Sequence, residues 1–136
     1  MTQWAHSLIR ISNYEVETLQ KRLAEITARR VSAEMRLTVL EAGAELERER
    51  ARADHEAGMM LIAYLKGWNL RREEAEAELA VIDREEEGAR DALSAAFEEL
   101  KKFEHVAETT RLAALAAAQK REAAAMDEVA ARRRAI

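Results

Sequence analysis

The sequence contains no proline and no cysteine, and only four glycines in 136 residues. Aromatic residues make up 4% of it. Each shortage excludes something. With so little turn punctuation, a fold of many short strands is ruled out. Without cysteine there are no disulfides, no thiolate metal ligands and no thiol nucleophile. Six aromatics are too few to fill a compact globular core. No apolar run is long enough to cross a membrane: the longest, from Met59 to Leu65, falls far short of the roughly 20 residues a transmembrane helix needs. Residues 1–10 lack a basic region followed by a long apolar one, so no targeting segment is expected there, and a soluble, cytoplasmic protein is the expectation.

What is present is alanine, glutamate, arginine and leucine, with charged residues at 35% and a net charge of −4. This composition belongs to long helices and coiled coils. The net acidity, with no aromatics interleaved in a basic run, argues against nucleic acid as a partner. A stripe with 3,4 spacing runs through Ala5, Ile9, Ser12, Val16, Leu19, Leu23, Ile26, Arg30, Ala33, Leu37, Leu40 and Ala44. Ten of these twelve positions are apolar. The stripe fades across residues 45–58 and resumes at Leu61, Leu65, Trp68, Arg72, Ala75, Leu79, Ile82, Glu86, Ala89, Leu93, Ala96, Leu100, Phe103 and Ala107. A 3.5-residue repeat sustained this far keeps one face toward a partner helix.

The gap fixes the expected topology. It is dense in charge and ends in Gly58, with Asp54 placed to cap a following helix. A turn there folds the chain back and pairs Ile9 with Phe103, Leu19 with Leu93, Leu23 with Ala89 and Ala33 with Leu79. Arg30 and Glu86 then sit about one turn apart across the seam, within reach of each other. The expected fold is all-α: a single antiparallel two-helix coiled-coil hairpin, with helix 1 over about 2–53, the turn over about 54–58 and helix 2 over about 58–134. A rival turn at 66–69, Lys66-Gly67-Trp68-Asn69, shifts the register by whole heptads, but the second seam runs through Gly67 unbroken. The longer second helix overhangs from about Arg111, as an alanine-rich segment with a weak seam and a basic balance. Residues 72–99, by contrast, carry eleven acids against three arginines.

No catalytic constellation accompanies this pattern. His6, His55 and His105 are scattered, no glycine-rich phosphate loop is present, and a two-helix hairpin offers no concave site. The expectation is a protein that is not an enzyme and holds neither metal nor cofactor. One feature exceeds what a seam requires. Of the seven apolar residues Met59 to Leu65, a seam buries only two or three, so Met60, Ile62 and Tyr64 face elsewhere beside the turn. Met60, Tyr64 and Trp68 then form a ledge for a protein partner, since methionine surfaces adapt and aromatics anchor.

Met126-Asp127-Glu128, followed by Ala130 and Arg132, lies 26 and 23 residues after Leu100 and Phe103, across an alanine run. This arrangement resembles the FliJ family of flagellar export proteins, best over about residues 60–134. The resemblance implies a non-enzymatic stalk of the flagellar type III export machinery. Its terminal end, here Met126, Asp127, Glu128 and Arg132, would enter the hexameric export ATPase. Residues near the turn would engage the cytoplasmic part of the export-gate membrane protein, and the family's gate positions fall on Tyr64 and Trp68. Family members also bind a regulator of the ATPase and export chaperones. The implied location is cytoplasmic, peripheral at the inner-membrane base of the flagellum. The alternatives are a generic dimeric coiled-coil scaffold, pairing two chains, and the stalk of a virulence type III secretion system.

Overall fold

The computed structural model describes residues 2–135. Every described residue but one is helical. Helix α1 spans Thr2–Ala53 and helix α2 spans His55–Ala135. Alanine, leucine, glutamate and arginine are the best helix formers, and no proline interrupts them. The single break is Asp54. Its N–H still donates to the Arg50 carbonyl at 3.0 Å, closing the ladder of α1. Its own carbonyl accepts from the Gly58 N–H at 3.0 Å, opening the ladder of α2. The Asp54 carboxylate accepts from the Glu56 N–H at 3.2 Å, the N-cap bond that supplies an otherwise orphaned donor. The turn is thus narrower than the expected 54–58, and Gly58 lies inside the first turn of α2. Its role is clearance, because a Cβ at Gly58 would stand 3.3 Å from the Ala51 carbonyl oxygen. The rival turn at 66–69 is helical throughout.

Contacts divide the chain into two units, Thr18–Leu93 and Met1–Glu17 with Ser94–Ile136. Thr18–Leu93 is a helical hairpin around Asp54. Its core is Ile26, Ala33, Ile82 and Ala89, with Leu23 and Leu79 packed against them. Ala33 shares this cluster with Leu79, and Leu23 with Ala89, as a reversal near residue 56 requires. The seam is not purely apolar. Glu86 is buried, and it accepts from the Arg30 guanidinium at 2.7 Å. Arg30 also reaches Asp83, and Arg90 closes on Glu86 at 2.7 Å from one turn further along. At the rim Arg29 meets Glu85 at 2.6 Å and Arg36 meets Glu78 at 2.9 Å.

In the other unit the buried positions are Ala5, Ser12 and Val16 from α1 with Ala96 and Leu100 from α2. Ile9, Phe103, Ala107 and Thr110 are half-buried beside them. The interface is thin because its layers are built largely of alanine and serine. Past Thr110, all residues to Ala135 are exposed except the half-buried Ala118. This final stretch extends about 37 Å at 1.5 Å per residue.

Two outcomes test the seam. Ile82, 1% exposed, is the largest fully buried side chain. Ile82→Ala should cost about 2–5 kcal/mol, read as a lower urea midpoint, whereas Glu73→Ala on the surface should stay within about 0.5 kcal/mol. The second outcome concerns acid. The Arg30 hydrogen bond, then the charges of Arg30 and Arg90, hold the Glu86 carboxyl below its ordinary value against the opposing effect of burial. A depressed carboxyl stabilises the fold fully above the unfolded value of about 4.3. That contribution is lost as pH falls through the lower folded value. Stability of the wild type should therefore decline below about pH 4.3. Glu86→Gln should be less stable at pH 7 but lose less over the same acid window, as melting curves at stepped pH would reveal.

Candidate partner-binding surfaces

Beside the break, the apolar run at the start of α2 is only partly used by the hairpin. Leu61 and Leu65 turn toward α1 and are half-buried. Met59, Met60 and Ile62 are 69–73% exposed. Tyr64 lies between these extremes. It is half-buried, and its hydroxyl sits over Gly43 of α1, where a Cβ would be 3.4 Å away. The Arg71 guanidinium lies 5.8 Å from the centre of the Tyr64 ring. The small residue on α1 leaves room for the ring to lie back, so only part of it remains open to a partner.

Trp68 corrects the expected ledge. It is 6% exposed, and its indole N–H donates to the Leu40 carbonyl at 2.6 Å. The Arg72 guanidinium covers the ring at 5.4 Å, held in turn by Glu76 at 3.1 Å and Glu41 at 3.6 Å. A side chain in the seam phase faces the other helix, and an indole there closes the interface. The exposed ledge is therefore Met60 with the edge of Tyr64, and Trp68 braces it from behind.

The helix opposite contributes a surface that periodicity in the seam phase did not reveal. Val31, Met35, Val39 and Leu46 of α1 are 52–68% exposed. Their spacing of four, four and seven residues places them together on the face away from the seam. Met35 and Val39 form one wall of a shallow recess whose other side is Ala75 and Arg71 of α2. A second pass for an apolar stripe out of phase with the first would have found this face.

The overhang carries the other candidate residues. Met126 is 72% exposed, and Asp127, Glu128 and Arg132 are exposed beside it. Glu128 and Arg132 are bound to each other at 2.9 Å, four residues apart on one face. Leu112, Leu115 and Val129 are roughly half exposed and were not singled out by the sequence. Among the described residues no three histidine, aspartate or glutamate side chains are grouped to hold a metal ion. No described helix is long and apolar enough to cross a membrane.

Two curated proteins named flagellar FliJ protein, from Caulobacter vibrioides strains NA1000 / CB15N and ATCC 19089 / CIP 103742 / CB 15, are each 55% identical to the sequence over 136 residues. The match covers all of this chain and 98% of each relative. The chain belongs to the flagellar FliJ family. No family model matches the sequence. No solved structure matches it either. In this FliJ-family chain, then, the candidate surfaces are an apolar collar beside Asp54, the outer face of α1 from Val31 to Leu46, and a single exposed helix from Arg111 to Ala135.

The different roles of the two collar aromatics are separable. Trp68→Ala removes a buried ring and its hydrogen bond, which should cost about 3–5 kcal/mol. Tyr64→Ala should cost well under half of that, because its ring is half open to solvent. Thermal melts of the two variants side by side check the assignment.

Proposed function

We propose that this chain is the stalk of the flagellar export ATPase, acting without catalysis of its own. Membership of the flagellar FliJ family makes it a component of the flagellar export apparatus. The finer reading has α2 entering the hexameric ATPase ring by its free end, while the collar beside Asp54 engages the cytoplasmic part of the export gate. In that role the protein would sit peripherally at the membrane base of the flagellum.

The observation that carries this reading is the length of α2 beyond its last partnered position. From Arg111 to Ala135 a single helix stands exposed on nearly every side. Alanine predominates there, which keeps the helix thin and gives it high intrinsic stability without a partner. A lone helix of this kind suits insertion into a channel. Met126, Asp127, Glu128 and Arg132 are among the side chains it would carry into the ring. Met60 and Tyr64, with the exposed Met59 and Ile62, suit an apolar contact with the gate. Pairing of α1 with α2 inside one chain favours the hairpin stalk over a scaffold built from two chains. The flagellar family of the relatives favours the flagellar machine over a virulence one.

Deleting residues 111–136 should leave the rest of the hairpin folded, because the described residues of that stretch are all exposed except Ala118, and should abolish stimulation of the partner ATPase. Normal stimulation by a folded truncated chain would remove the insertion. The collar is read separately. Tyr64→Ala should weaken binding of the gate's cytoplasmic portion about tenfold, equivalent to ~1.4 kcal/mol, with little change in ATPase stimulation.

A further inference from the structure

We propose that two copies of this chain pair through their overhanging helices, antiparallel, in a weak and reversible dimer. Among the described residues, the overhang has four large apolar side chains, Leu112, Leu115, Met126 and Val129, all 47–72% exposed. At 100° per residue they fall on one face, with Gln119 and Glu122 between them. This face is turned by about a third of a revolution from the seam that meets α1. A helix laid on it does not compete with α1.

The spacing along this face is three, four, three, four and three residues. It reads the same in both directions, with its midpoint between Lys120 and Arg121. An antiparallel second copy therefore meets it in register, setting Leu112 against Val129, Leu115 against Met126 and Gln119 against Glu122. Glu122, Ala125, Met126 and Val129 surround a shallow recess. Their spacing of zero, three, four and seven is that of the four-residue hole that receives a knob in a coiled coil. The register brings Leu115 of the second copy over that recess.

Charge selects the direction. A parallel pair would face Glu122 with Glu122 and Arg133 with Arg133. The antiparallel pair faces Glu122 with the neutral Gln119 and brings Arg133 to Glu108. Four large side chains per copy bury less than the roughly 1,200 Å² at which stable interfaces begin, so the dimer forms only at high concentration. Its functional consequence rests on the stalk reading: the pair covers the helix that would enter the ATPase ring, making the dimer a reserve that the ring dissociates. The pairing itself does not depend on that reading.

Because the chain has no cysteine, one introduced cysteine is unique. Full-length Leu115→Cys and Met126→Cys should be treated with a short bismaleimide, separately and mixed. The mixture should yield several-fold more cross-linked dimer than either variant alone. Cross-linking of each variant alone, or no more than an Ala117→Cys control on the opposite face, would overturn the antiparallel pair. In sedimentation velocity over a rising concentration series, the wild type should shift toward dimer. Leu115→Glu should weaken that association at least tenfold, and Ala117→Glu should leave it unchanged. A wild type that remains monomeric throughout, or a Leu115→Glu variant that associates equally well, would overturn the proposal. Adding the ATPase should reduce the mixed cross-link. An ATPase that is stimulated while the cross-link persists would sink the reserve role and leave the pairing standing. An ATPase that responds to no form of the chain would sink the stalk reading instead.

Discussion

The ion pair between Arg30 and the buried Glu86 fixes where the two helices of the hairpin must meet. Alanine, leucine and isoleucine at 3,4 spacing make a seam that looks nearly the same after a shift of seven residues. Apolar burial alone therefore favours several registers almost equally. A misplaced register leaves the Glu86 carboxylate facing an apolar layer without Arg30, and an unpaired buried charge costs far more than the correct pair contributes. Trp68 adds a second key, since its indole N–H meets the Leu40 carbonyl only at one alignment. The two polar contacts set the register, and the apolar layers between them supply adhesion.

That division of labour also explains the placement of Asp54. Once the register is pinned, the number of residues between Arg30 and Glu86 leaves little slack for a loop. One residue suffices, because Asp54 serves as the last donor of one helix and the first acceptor of the next. No described residue has positive φ, so the reversal is made without left-handed backbone.

Much of this was legible in the sequence, for definite reasons. Leu23, Ile26, Ala33, Ile82 and Ala89 repeat in one phase, and a helix has only one way to bury such a stripe. Arg30 and Glu86, as the polar interruptions of two facing stripes, could be matched by counting from the turn. Trp68 belongs by its phase to the seam and by its type to the ledge, because an aromatic is both a good core filler and a good anchor, and the partner carbonyl on Leu40 shows that it fills the seam. Tyr64 was read correctly as lying off the seam, yet the space above Gly43 that lets it recline belongs to the other helix. The faces made by Val31, Met35 and Val39, and by Leu115 and Met126, lie out of phase with the seam. A search in a single phase passes over them.

The one-residue break at Asp54 constrains how the protein can change in length. Inserting a residue into either arm of the hairpin rotates everything beyond it by about 100° relative to the partner. Only gains or losses of whole heptads keep the stripes facing, and they must be matched on the other arm, because no loop exists to absorb the difference. The stretch from Arg111 to Ala135 is free of that coupling. Through evolutionary time it can be lengthened or shortened without any compensating change in α1. The hairpin is thus the conservative part of the molecule in this respect, and the free helix is where reach can be adjusted.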